Sequence, residues 1–137
     1  MELSYISFPA FKDERGTLVA IESSKEIPFE IKRIYYILGT QRKDPRGFHA
    51  HKDLHQVIVC LKGSCLLTLD DGVKKKKIHL NNPTQGVSID RMIWHEMHDL
   101  SDDCLLLVLA SDYFQETDYI RDYEEFKRLI KNRKLCC

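Results

Sequence analysis

The sequence lacks several features, and each absence removes a class of function. Neither charge is in excess, since 21 Lys and Arg residues stand against 21 Asp and Glu. Nucleic-acid-binding domains carry a basic surplus, so no nucleic acid is expected as a partner. No apolar run approaches the ~20 residues of a membrane-spanning helix, and no membrane association is expected. The first residues, MELSYISFPAFKDERG, have no basic stretch followed by an apolar one; without that secretory pattern the expected location is cytoplasmic. Cysteine is present but unorganised. Cys60, Cys65, Cys104, Cys136 and Cys137 make an odd count with no Cys-x-x-Cys, a poor framework for disulfides or zinc. The first three sit in apolar runs and read as buried thiols, and the last two read as a frayed tail. No repeat, low-complexity tract or linker divides the 137 residues, so a single domain over residues 1–137 is expected.

What the chain does contain is a series of short β-like runs. They are Gly16–Glu22, Ile31–Leu38, Gln56–Leu61, Cys65–Leu69, Val73–Leu80, Gly86–Ile93 and Cys104–Ala110. Asp70-Asp71-Gly72 between two of them is a hairpin signal, and Asn81-Asn82-Pro83 marks a turn. Roughly eight strands without interleaved helices predict an antiparallel sandwich or barrel. The period changes near the C-terminus. Ile120, Tyr123, Phe126 and Ile130 recur at helical spacing, and Asp122 with Glu125 resembles a capping box. One amphipathic helix over residues 119–132 is predicted, packed on the sheets. The run Lys74–Lys77 alternates between two strand faces, so it reads as a solvated edge strand rather than a phosphate-binding patch.

The chemistry concentrates in RGFHAHKDLHQ, residues 46–56, which holds half of the six histidines. His49 and His51 are two apart and share one face of a strand. His55 precedes Gln56 and faces away from it, so it is set aside, and His79 and His98 read as structural. A histidine pair of this kind can hold a metal, exchange protons near its ordinary pKa of ~6.5, or simply decorate a surface strand. The spacing His49-x-His51-x4-Gln56-x6-Gly63 resembles the first cupin motif, with Gln56 where that motif has a metal-binding glutamate. His95 stands where the second motif supplies its histidine, without that motif's proline and glycine. Glutamine brings no negative charge to a metal, which favours acid/base chemistry at the site. A base next to a carbonyl can enolise it if Arg, Tyr or a second His stabilises the enolate, and Arg15, Arg33, Tyr35, Arg46 and His95 are the candidates.

Taken together, KDERGTLVAIE, IPFEIKRIYYI, RGFHAHKDLHQVIVCLKGSC, LDDG, WHEMHDLS and LASDYFQETDYIRDYEEF resemble the sugar 3,4-ketoisomerases, from about residue 6 to residue 130. These are cupins acting on dTDP-4-oxo-6-deoxy-D-glucose. The resemblance implies an all-β, cupin-type antiparallel β-barrel or jelly roll with a C-terminal helix. It implies no metal and no other cofactor, and a homodimer, often with exchanged N-terminal strands. It implies that His49 and His51 are catalytic and that Arg15, Arg33, Tyr35, Arg46 and His95 contact the dTDP-linked substrate. The keto group would move from carbon 4 to carbon 3. The Arg15/His95 combination is similar to that of the members giving the galacto product, dTDP-3-oxo-6-deoxy-D-galactose, a precursor of deoxyaminosugars in O-antigen or S-layer glycans. Members giving the gluco product are one alternative. The sugar-nucleotide 3,5-epimerases share Asp-x-Arg-Gly and Arg-Gly-x-His and are another. A metal-dependent cupin oxygenase and a non-catalytic sugar-nucleotide-binding protein are the readings furthest from these.

Overall fold

The structure is a computed structural model that describes residues 1–136, with side chains through Arg133. Its strands are β1 (Tyr5–Ser7), β2 (Ala10–Asp13), β3 (Gly16–Val19), β4 (Arg33–Ile37), β5 (Arg46–His51), β6 (Gln56–Lys62), β7 (Cys65–Asp70), β8 (Lys75–Leu80), β9 (Gln85–Ile89), β10 (Trp94–His98), β11 (Leu105–Ala110) and β12 (Tyr119–Ile120). A 3-10 turn, Glu116–Asp118, leads into β12, and helix α1 (Tyr123–Cys136) ends the described chain. Two five-stranded sheets, ordered β1-β9-β6-β11-β4 and β12-β5-β10-β7-β8, hold all the strands except β2 and β3, which pair only with each other. Every pairing is antiparallel. This is the all-β jelly-roll architecture expected.

Side-chain alternation explains how the sheets are held. Ile58 and Cys60 of β6 join Leu67, Leu69, Val87, Ile89, Met97, Leu106 and Val108 in the core between the sheets. Val57 and Val59 turn the other way and are covered by Phe8, Ile27 and Leu109. VIVC, residues 57–60, is therefore apolar throughout because both its faces are buried. Cys60, Cys65 and Cys104 are buried free thiols, and burial pushes those of Cys60 and Cys65 up, to about 12 for Cys60, leaving them unreactive. On the outer side of the second sheet, Phe126 and Ile130 of α1 pack on Ala50, Trp94 and Ile120. Asp70, at the end of β7, accepts a 2.5 Å hydrogen bond from Tyr123 Oη, tying the hairpin to the helix.

Several boundaries differ from the sequence-based expectation. Helix α1 begins at Tyr123, not at residue 119, because Tyr119 and Ile120 pair with His51 and Ala50 as a strand. Asp122 caps the helix, with Oδ1 accepting the backbone N–H groups of Glu124 and Glu125. The Gly86–Ile93 run ends as a strand at Ile89 and turns through Met92, whose φ is +60°. β10 follows in a segment the sequence did not mark. The Gly16–Glu22 run is cut at Val19, where its only partner strand, β2, ends. The Asp-Gly hairpin is as expected, with Asp71 Oδ1 accepting from Val73 and Lys74 and Gly72 at a φ of +93°. β8 is an edge strand with its lysines largely exposed. Cys136 ends the helix, and Cys137 lies outside the described residues. Among the described residues, no helix is long and apolar enough to cross a membrane.

Candidate active site

β5 and β10 run side by side, and their inward faces carry the histidines. His95 lies opposite His49 in the ladder. One extra residue, Phe48, separates the pair His95–His49 from the pair Glu96–Gly47, so β5 bulges there. The bulge needs left-handed backbone at Gly47 (φ +95°) and at Phe48 (φ +56°). Its consequence is chemical. In a regular strand, residues three apart face opposite sides, yet Arg46 and His49 line the same cavity.

His49, His51 and His95 form one cluster, with a ligating nitrogen from each lying within 4.8 Å of the others. Such a trio has the donors to hold a divalent metal. Gln56 brings no charge to it. Its Nε2 donates instead to Tyr35 Oη at 2.7 Å, which leaves the tyrosine's own hydroxyl hydrogen free to donate elsewhere. Burial pushes Tyr35 up to about 12, so it remains a protonated donor at neutral pH.

Hydrogen bonds fix the protonation of the rings. His49 Nδ1 lies 3.0 Å from the carbonyl oxygen of Gly47. A carbonyl only accepts, so Nδ1 carries the hydrogen and Nε2 of the neutral ring keeps a lone pair. His51 Nδ1 lies 3.0 Å from Asp118 Oδ2, with the same result. Both Nε2 atoms are buried and have no protein partner. Burial lowers all three histidines below their ordinary pKa. For His51, burial and the nearby His49 outweigh Asp118 and bring it down to about 4. At neutral pH the cluster is a set of uncharged bases.

The space around the cluster has two parts. A cavity of 350 Å³ is lined by Arg33, Tyr35, Arg46, His49, Tyr119 and Arg121, among others. A smaller polar chamber of 110 Å³ lies against His51, Asp118 and Ser111. Arg33 and Tyr119 line both and form their shared wall. The Arg33 guanidinium lies over the rings of Tyr35 and Phe114, and its buried Nε has no partner. Arg121 stacks on Tyr119, 4.2 Å from the ring centroid, and makes a two-pronged bond to Glu116.

Of the residues read from the sequence, the structure brings together His49, His51, His95, Arg33, Tyr35 and Arg46. Arg33 and Tyr35 do share a face, and that face is inward. Arg15 is not brought in. It sits in the β2–β3 turn, 88% exposed at its side chain and paired with Asp13. His55 stays outside, half-exposed beside Asp90, and His98 is held by Glu96. Sequence reasoning missed Asp118, Tyr119 and Arg121. Helical spacing claims part of their segment, and only the pairing of Tyr119 with His51 carries it into the site.

Two facing antiparallel sheets, with a cluster of neutral histidines from which His49 lines a cavity rich in arginine and His51 lines the smaller chamber, define a cupin suited to acid/base work. A model of the family described as "FdtA: WxcM-like, C-terminal" matches residues 1–131. A TDP-4-oxo-6-deoxy-alpha-D-glucose-3,4-oxoisomerase of Aneurinibacillus thermoaerophilus is 56% identical over 130 residues, covering 95% of this chain and 94% of the relative. The crystal structure of a 3,4-ketoisomerase from Helicobacter canadensis matches with a TM-score of 0.92 at 50% identity, covering 96% of this chain and 98% of the other. The QdtA 3,4-ketoisomerase from Thermoanaerobacterium thermosaccharolyticum, solved with TDP as a double variant (tyrosine to arginine, arginine to histidine), matches with a TM-score of 0.92 at 46% identity, covering 96% of this chain and 95% of that one. The chain belongs to the FdtA, WxcM-like family and is an enzyme of the sugar 3,4-ketoisomerase class.

Proposed function

We propose that the enzyme converts dTDP-4-oxo-6-deoxy-D-glucose to its 3-oxo isomer through an enediol, without a metal or other cofactor. The observation that carries this reading is the pair of buried, partnerless Nε2 lone pairs on His49 and His51, whose rings lie 4.9 Å apart and line adjoining chambers. His49 takes the proton from carbon 3, which the carbon-4 carbonyl acidifies, and the electron pair passes to the carbon-4 oxygen. Tyr35, a protonated donor lining the cavity, is suited to stabilise that developing charge. His51 accepts the proton of the carbon-3 hydroxyl and returns it to the carbon-4 oxygen. The proton on His49 exchanges with solvent, and His49 then protonates carbon 4, leaving the ketone at carbon 3 and both histidines neutral. Arg33, Arg46 and Arg121 supply positive charge to the diphosphate, and His95 contacts the sugar.

The product is the galacto isomer, dTDP-3-oxo-6-deoxy-D-galactose, destined for deoxyaminosugars of O-antigen or S-layer type. The Arg15/His95 combination supports this, since it is similar to that of the family members giving the galacto product. The enzyme works as a homodimer with exchanged N-terminal strands, through which Arg15 reaches the site of the partner chain. The β2–β3 hairpin supports this, since it pairs with no other strand and leaves Phe11 and Leu18 63% and 62% exposed.

The test is turnover of dTDP-4-oxo-6-deoxyglucose in deuterated water after chelator treatment, followed by NMR. A 3-oxo product with deuterium at carbon 4 is expected. Unchanged substrate without deuterium would overturn the reading. Deuterium at carbon 5 would replace it with epimerisation.

A further inference from the structure

We infer that Asp118 is a positioning residue that fixes the tautomer of His51, holding its Nε2 lone pair toward the substrate. The carboxylate is itself held on two sides. Oδ2 faces His51 Nδ1 at 3.0 Å, and Oδ1 accepts the backbone N–H of Asp53 at 2.8 Å. The backbone carbonyl of Asp118 also accepts the N–H of Lys52 at 3.0 Å. The 3-10 turn is thereby stitched to the end of β5, where Tyr119 pairs with His51 in the ladder. The His51 ring is 2% exposed, and the Tyr119 ring packs on it with centroids 4.4 Å apart. The bond to Asp118 and the packed Tyr119 ring hold it in this orientation.

A carboxylate has no hydrogen to offer a ring nitrogen. Nδ1 must therefore carry the hydrogen, and Nε2 must be the free base. The negative charge also stabilises the imidazolium that forms when His51 takes a proton. For His49 the same tautomer is set by a backbone carbonyl, which no side-chain substitution removes. Asp118 is therefore the side chain through which tautomer control can be altered. Its effect on rate rests on the ketoisomerase reading above, whereas its effect on the tautomer does not.

The test is Asp118→Asn in full-length enzyme labelled with ¹⁵N-histidine. The N–H of Asp53 still demands an acceptor, so the amide turns its oxygen there and its NH2 toward Nδ1. Nδ1 then has to accept, and the hydrogen moves to Nε2. In the parent enzyme the His51 Nδ1 is expected at a protonated and Nε2 at an unprotonated ¹⁵N shift, with the two exchanged in the variant. The expected kcat falls about 10²-fold or more, the size of a lost acid/base contribution, while KM changes little. Asp118→Glu, which keeps the carboxylate, restores the parent tautomer and part of the rate. A parent enzyme with its hydrogen on Nε2 would overturn the inference, and so would exchanged tautomers with an unchanged rate. If Asp118→Asn fails to fold, the parent spectrum and Asp118→Glu still decide. A parent with the expected tautomer but no turnover of the dTDP-sugar would count against the proposed function and leave the tautomer assignment standing.

Discussion

His49 and His95 face each other across the β5–β10 ladder, with ring centroids 4.4 Å apart and planes at 70°. Desolvation lowers the pKa of both and favours their neutral forms. The two strands thus present a base and a neighbour without a charge between them, which suits proton transfer to and from carbon.

Replacing the base tests its assignment directly. His49→Asn keeps a polar side chain of similar reach but no titrating nitrogen. Turnover is expected to fall about 10²- to 10⁴-fold, with circular dichroism unchanged and TDP binding retained by calorimetry. A variant at full rate would remove His49 from the mechanism.

The acid side of the pH profile follows from the lowered histidines. Their folded pKa values lie below the ordinary ~6.5. Activity is therefore expected to persist below pH 6.5 and to fall only as these lowered histidines become charged, His51 at about 4. Stability moves the same way. Between those values the unfolded chain binds protons that the folded chain refuses, so stability rises with pH across that window and is lost on acidification. Tm measured from pH 7 down to pH 4.5 should decline, and a Tm rising on acidification would contradict the burial of neutral rings.

Gly47→Ala probes the bulge. An added Cβ would meet the backbone oxygen of His95 at 2.9 Å, on a φ of +95° that L side chains avoid. A loss of about 1–3 kcal/mol is expected from strain of this kind, read from urea unfolding. A larger fall in kcat than in TDP affinity should accompany it, because His49 and His95 are displaced together.

Phe126→Ala tests what braces β5 from behind. Phe126 is fully buried against Trp94 and Tyr123, with ring centroids 5.8 and 6.0 Å away. A cost of about 3–5 kcal/mol is typical of such a truncation. The active-site pKa values should stay in place, so the midpoint of denaturation should move while the pH profile at low temperature does not.

Metal dependence separates the cupin alternatives. Exhaustive chelation is expected to leave turnover unchanged, measured alongside elemental analysis of the purified protein. Stoichiometric iron together with loss of activity on chelation would favour the oxygenase reading.

Much of this protein follows from local sequence. Alternation places Arg33 and Tyr35 on one face of RIYYI and His49 and His51 on one face of RGFHAH, and Asp-Gly turns β7 into β8, because strand period and turn chemistry act over a few residues. Asp122 as a helix cap is legible for the same reason. The helix boundary was not, since Tyr119 and Ile120 fit a helical repeat and became a strand only when β5 offered them a ladder. Long-range pairing also decided the site. Arg46 and His49 line one cavity only through the Phe48 bulge, His95 meets His49 only across the β5–β10 ladder, and Asp118 reaches His51 only from a distant turn. Arg15 stays outside the single chain's site because its hairpin finds no partner strand there. Sequence by itself determined which residue types face one way along each strand. Only the tertiary structure decided which strands meet, because that depends on ladders, bulges and core packing between segments far apart in the chain.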